Sequence, residues 1–183
     1  MIRMTMLATF LISHSSFLIS SAQTLNVTEG NVVYQFPASQ AGDMTYSDGT
    51  TLTIMGKAFT LSDISSMTID NTEVTDNSIG VAYDGSSALV TVAGNVAQYV
   101  TPTVSGAHVS IAQSDDVAEE ITYTLSGTST DGEFYMSGSY KATVELNGLT
   151  LTNATPVYSG AAVHIQNGKR IKVKVVTGTT NTL

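Results

Sequence analysis

The chain is predicted to be all-β, a β-solenoid that begins after a small antiparallel module, on three observations. Thr (27) and Ser (21), with 18 Val and 11 Ile, dominate its 183 residues. β-Branched side chains lose rotamer freedom in a helix and pack well on a pleated surface. Asp-Gly pairs at Asp48-Gly49, Asp84-Gly85 and Asp131-Gly132 punctuate alternating segments, as tight turns between strands require. Finally, one segment recurs: Ala88–Gln113 and Ala142–Asn167 align without a gap at a shift of 54, with ten of 26 positions identical. A β-sandwich is the alternative architecture.

The chain opens on an address. Met1-Ile2-Arg3 carries one positive charge, Met4 to Ile19 is mostly apolar, and Ser20-Ser21-Ala22 offers small residues for a signal peptidase. Residues 1–22 therefore read as a signal peptide cleaved before Gln23. Ser13, His14, Ser15 and Ser16 break the apolar run, well short of the roughly 18 residues that a membrane anchor needs. The expected product is secreted, periplasmic or held at the cell surface, with no membrane anchor after cleavage. It carries 15 acidic and 6 basic residues, a net charge of −9.

Residues 23–78 form the expected antiparallel module. Val32–Phe36 alternates, Met44-Thr45-Tyr46 runs into Ser47-Asp48-Gly49, and Leu52-Thr53-Ile54 returns from that turn. Phe59–Leu61 and a strand ending at Ile69 complete it. This module loosely resembles short β modules of secreted Bacteroidetes proteins, a resemblance that implies no activity.

Residues 79–183 hold the repeat. Gly94 matches Gly148, Thr101-Pro102 matches Thr155-Pro156, and Ser105-Gly106-Ala107 matches Ser159-Gly160-Ala161. After a slip to a shift of 50, Ile121–Leu125 aligns with Ile171–Val175. Three strands are expected in the second copy, at 142–146, 161–166 and 171–176. Such short runs gain a continuous core only by stacking. The chain stops at Leu183 as a further coil should begin, with no visible cap, and so reads as a fragment.

Composition excludes several function classes. An acidic chain so sparse in Lys and Arg lacks the footprint for nucleic acid. Without Cys there is no disulfide, thiolate metal site or thiol nucleophile. No G-x-S-x-G elbow, H-E-x-x-H or phosphate-binding glycine loop occurs. His108 and His164 each read as solvated strand residues, and Tyr123 as a core ring. Asp115, Asp116, Glu119 and Glu120 crowd four acids into six residues. They suit a solvated turn or hard-cation ligands, in a spacing unlike an EF-hand. The chain is expected not to be an enzyme.

One charge stripe stands out. Arg170, Lys172 and Lys174 fall on one face of a strand, with Lys169 beside them, while Ile171, Val173 and Val175 are expected to face the core. The stripe has three readings. It could hold an acidic polysaccharide, guard a strand edge, or form a ladder with Glu119 and Glu120, which align with Lys169 and Arg170 at the shift of 50.

Lys141–Asn153, Gly160–Ile171 and Gly178–Leu183 closely resemble the opening coils of a secreted bacterial family. These are carbohydrate-binding domain-containing proteins related to a clostridial cellulose- and pectin-binding β-helix. The resemblance covers about residues 88–183. It implies a right-handed parallel β-helix of which this chain holds the first coils, binding of plant-type polysaccharide, and calcium as a cofactor. On that basis Arg170, Lys172, Lys174 and Tyr158 are the expected carbohydrate-binding residues, with the metal ligands unassigned. A structural or adhesive surface stalk is the alternative. A polysaccharide lyase is disfavoured, because Arg170 is the only arginine after the leader and no carboxylate trio is assigned to it.

Overall fold

A computed structural model describes residues 23–183; the expected signal peptide, residues 1–22, lies outside the described residues. The chain is all-β. Its strands are β1 (Thr24–Glu29), β2 (Val32–Pro37), β3 (Thr45–Ser47), β4 (Thr51–Ile54), β5 (Lys57–Thr60) and β6 (Ile64–Asp70). Then come β7 (Ser78–Asp84), β8 (Ser87–Ala93), β9 (Val100–Ser105), β10 (His108–Gln113) and β11 (Ile121–Ser129). The last four are β12 (Glu133–Gly138), β13 (Ala142–Leu151), β14 (Val163–Asn167) and β15 (Ile171–Val175). A 3-10 segment, Gly94–Tyr99, links β8 to β9.

Three sheets result. The largest runs β15-β13-β11-β7-β8-β2-β1-β6, the second β14-β12-β10-β9, and a small one β3-β4-β5. Turn chemistry explains the small sheet. Asp48 and Gly49 have φ of 54° and 69°, and Met55 and Gly56 have 47° and 82°. Two successive left-handed residues give the turn whose twist matches its flanking strands. The small sheet delivers Ile54 and Phe59 to the core, where Phe59 meets Tyr34 edge-on at 5.2 Å and Phe36 at 6.0 Å.

After β9 the chain passes alternately between the two larger sheets, and each return pairs in parallel with the previous visit. Val109 pairs with Phe134, which pairs with Val163. In the other sheet Ile121 pairs with Ala142, which pairs with Ile171. The repeat at a shift of 54 thus spans two steps rather than one, from Val109 to Phe134 and from Phe134 to Val163. The shift of 50 likewise divides at Ala142, midway in the pairing between Ile121 and Ile171. The intervening strand β12 lies between the two aligned copies, after Leu125 and before Ala142.

The two copies place their first strands (β8, β13) in the large sheet and their later ones (β10, β14) in the four-stranded sheet. Their shared glycines serve unlike purposes. Gly148 is the extra residue of a bulge, skipped as the register passes from Ser126–Asn147 to Gly127–Leu149, with φ 72°. Gly94 opens the 3-10 segment, where any Cβ would run into the Phe36 ring.

Apolar residues alternate inward along the strands of both larger sheets, so Val81, Val90, Ile111, Leu125, Phe134 and Val144 share one core with Phe36 and Phe59. The sequence boundary at 78/79 falls at the start of β7. The sheet runs through it, since β2 pairs with β8 in parallel, Val32 against Val90.

Candidate functional site

The outer face of the large sheet is polar and thinly clothed. Thr124 of β11 pairs with Gly80 of β7, and Gly80 with Thr91 of β8; Thr122 pairs with Ser78. Side chains this small leave an open trough of about 550 Å³ over the sheet. Glu73 and Asp76, from the segment entering β7, and Glu145 of β13 line it together with Gln35. It therefore offers hydroxyl groups, an amide and carboxylates to a ligand lying along it. Gln35 is held in place, its Nε2 donating to Asn26 Oδ1 at 3.0 Å.

The expected cation stripe lies on the same face, on edge strand β15. Lys174 Nζ donates to Glu145 Oε1 at 2.8 Å, so that charge is already paired. Arg170 Nη2 lies 3.8 Å from Glu120 Oε2. Arg170 and Glu120 flank paired strands two steps apart, and the long guanidinium arm spans the strand between them. Lys172 sits opposite Thr143 and, with Lys169, makes no ion pair among the described residues. Val173 and Val175 share a face with Val144 and Leu146 of β13, as expected. Both are nevertheless 61% exposed. Among the described residues β15 is the outermost strand on this side of the sheet, and nothing covers its inner face.

Tyr158 belongs to the loop joining β13 to β14 and stacks on Tyr135 (5.9 Å, 28°), which stacks in turn on His164 (5.3 Å, 29°). Parallel pairing puts Tyr135 directly beside His164, and the Tyr135 hydroxyl donates to Gln166 Oε1. Tyr158 is thus one member of a ring stack on the four-stranded sheet, which the structure does not bring together with the cation stripe on the other.

A buried carboxylate holds that loop. Glu133, at the start of β12, is 0% exposed. Its Oε2 accepts from the N–H groups of Val157 (3.2 Å) and Tyr158 (2.8 Å). Its Oε1 accepts from the N–H and hydroxyl of Ser159 at 2.5 and 2.7 Å. Burial pushes the Glu133 carboxyl up, but the four donors together outweigh it and hold the group at about 2. Asp131 does more than make a turn. Its Oδ1 accepts from the N–H groups of Ala154 (3.1 Å) and Thr155 (2.7 Å), and the Thr155 bond leads in keeping its carboxyl below the usual range.

His108 does not sit in solvent as expected. It is 9% exposed, with Nδ1 3.6 Å from Glu133 Oε2 and Nε2 3.8 Å from Asp131 Oδ1. The reason is tertiary: it points outward from β10, and the 153–162 loop folds over it. Tyr123 is buried as expected, its oxygen accepting from Gln113 Nε2 at 2.9 Å.

The acidic run does not converge on one point. Glu119 Oε2 accepts from Asn77 at 2.7 Å, Glu120 Oε1 from Thr143 at 2.6 Å, and Asp116 Oδ2 from Ser114 at 3.4 Å. Among the described residues no three His, Asp or Glu are grouped to hold a metal ion. Nor is any described helix long and apolar enough to cross a membrane.

Comparison with protein-family models, curated proteins and solved structures returns no match to this chain.

Sequence reasoning missed the trough and Glu133, and counted Tyr135 among the available rings without giving it a role. The trough is lined by residues spread along the chain from Gln35 to Glu145, which meet only in the folded sheet. No local pattern encodes it. Tyr135 and Glu133 lie in β12, outside both aligned copies. Their one local signal is Gly132 and Gly138 bracketing an apolar pair, Phe134 and Met136.

Proposed function

We propose that this protein is a non-catalytic binder of extracellular polysaccharide, with the sugar chain lying in the trough on the large sheet. The observation that carries this reading is the trough itself: open, floored by threonine and serine hydroxyls and lined by carboxylates. Sugar hydroxyls donate well to carboxylates, and such charge-assisted bonds are stronger than neutral ones. Glu73, Asp76 and Glu145 favour a neutral, cellulose-like chain over an acidic, pectin-like one, because uronate carboxylates would repel them. Pairing of Lys174 and Arg170 with acids of their own weakens the case for the stripe as the site. The leader-like residues 1–22 and the family resemblance over 88–183 support a location outside the cytoplasm.

The same reading takes strands β10 to β15 as the first coils of a parallel β-helix. What supports it over a sandwich is the regular alternation between sheets with parallel pairing at every return. Sandwiches are built from antiparallel strands.

Affinity electrophoresis in gels of soluble cellulose derivative, glucomannan and polygalacturonate, with and without calcium, tests the proposal. The native protein is expected to be retarded by a neutral glycan. Glu73→Ala with Asp76→Ala should weaken that binding about tenfold, the equivalent of about 1.4 kcal/mol. Lys172→Thr with Lys174→Thr should leave it unchanged. Retention by polygalacturonate alone, abolished by the lysine pair, would move the site to the stripe. No retention in any gel would reject glycan binding.

A further inference from the structure

Asn-Gly occurs twice in the chain, at Asn147-Gly148 and Asn167-Gly168, and the fold treats the two asparagines oppositely. Asn167 is tied down. Its Nδ2 donates to the Tyr140 carbonyl at 2.6 Å, and its Oδ1 accepts from the Lys169 N–H at 2.7 Å. Asn147 and Gly148 are both exposed, and among the described residues the Asn147 side chain makes no hydrogen bond. The groups around it are engaged elsewhere: Glu145 with Lys174, and the Leu149 N–H with Asn181 Oδ1.

The backbone at Asn147 is also loosely confined. Gly148 is the residue that the β11–β13 register skips, and the extra residue of a bulge is left out of the hydrogen-bond ladder. On the other flank, pairing with β15 ends one residue earlier, at Leu146 against Val175. Without a Cβ, Gly148 neither shields its own nitrogen nor restricts the rotation that turns it towards the Asn147 side chain. A backbone nitrogen and an unheld carboxamide thus stand side by side in a solvated kink.

We infer that Asn147 is a site of spontaneous modification, losing ammonia through a cyclic imide with Gly148, whereas Asn167 is protected by its two hydrogen bonds. The Gly148 nitrogen gives its proton to solvent and attacks Asn147 Cγ. A new N–Cγ bond forms, the Cγ–Nδ2 bond breaks, and Nδ2 leaves as ammonia after taking a proton from water. Water then opens the imide at either carbonyl, giving aspartate or isoaspartate, and nothing is oxidised or reduced. Either product sets a carboxylate on the outer face of the large sheet, two residues along β13 from Glu145, because alternate residues of a strand share a side. Isoaspartate also adds one carbon to the main chain, at a bulge that already holds a surplus residue.

Tandem mass spectrometry of the full folded chain, kept at mildly alkaline pH and sampled over time, tests this because fragment ions localise the change. Asn147 should acquire the mass of an NH-to-O exchange, in two separable isomers. It should do so about tenfold faster than Asn167, the equivalent of about 1.4 kcal/mol, which is the scale of one net hydrogen bond. In urea both asparagines lose their surroundings, and the two rates should converge. Asn147→Ser cannot form the imide, so it should abolish the faster product and leave the rate at Asn167 unchanged. Equal or faster conversion at Asn167 in the folded chain overturns the inference. So does an Asn147 that converts in urea but stays intact when folded. A difference that persists undiminished in urea overturns it equally, because flanking sequence rather than the fold would then set the rates.

Discussion

Replacing Glu133 with Gln tests how the loop carrying Tyr158 is held. The carboxylate is wholly buried and accepts three backbone N–H groups and one hydroxyl. It titrates at about 2 in the fold against 4.5 unperturbed. A lowering of that size corresponds to about 3 kcal/mol favouring the folded state when the group is ionised. Because the folded value is the depressed one, this contribution is complete above about pH 4.5 and disappears as pH falls towards 2. Gln has nearly the shape of the protonated acid, so the substitution should cost about 2–3 kcal/mol at pH 7, or about 4–12 °C in Tm. The cost should shrink towards zero near pH 2. Urea unfolding of native and variant protein at several pH values reads the difference directly, and acids unaffected by the change cancel in it. A difference that stays constant between neutral and strongly acidic pH would refute the reasoning. So would one under about 0.5 kcal/mol at pH 7, which is the scale of an ordinary surface substitution.

Three further outcomes are expected. Gly127 has φ 85°, and a Cβ there would collide with the Tyr83 backbone on the neighbouring strand. Gly127→Ala should therefore lower Tm by about 5 °C or more in a thermal melt, as strain on backbone atoms cannot be relieved by rotamer changes. Phe59→Ala removes the ring that the small sheet inserts between Tyr34 and Phe36. It should cost about 3–5 kcal/mol by urea unfolding, in the range for emptied aromatic core sites. Lys172→Thr with Lys174→Thr breaks only the exposed Lys174–Glu145 pair and should change unfolding free energy by no more than about 1 kcal/mol.

The sequence alone determined that the chain is all-β, and several local devices with it. Asp48-Gly49 makes its hairpin because those residues tolerate the left-handed backbone that the turn demands. Tyr123 goes inward because it alternates with Ile121 and Leu125, and strand periodicity is local information. The repeat, too, marked which strands lie in corresponding places. It could not show that a further strand, β12, stands between β10 and β14, because that insertion is visible only in the pairing.

Tertiary structure decided everything that depends on which surfaces end up covered. His108 points outward from its strand, as periodicity requires, and is buried because a loop from much later in the chain is tied over it by Glu133 and Asp131. Val173 and Val175 point inward and are exposed, because no strand among the described residues lies beyond β15 to cover them. The trough exists only because Gly80 and Thr91 of one hairpin meet Thr124, from a strand some thirty residues further on, with little bulk between them. Side-chain direction is set by the backbone of each strand; burial and cavities are set by what arrives from elsewhere in the chain.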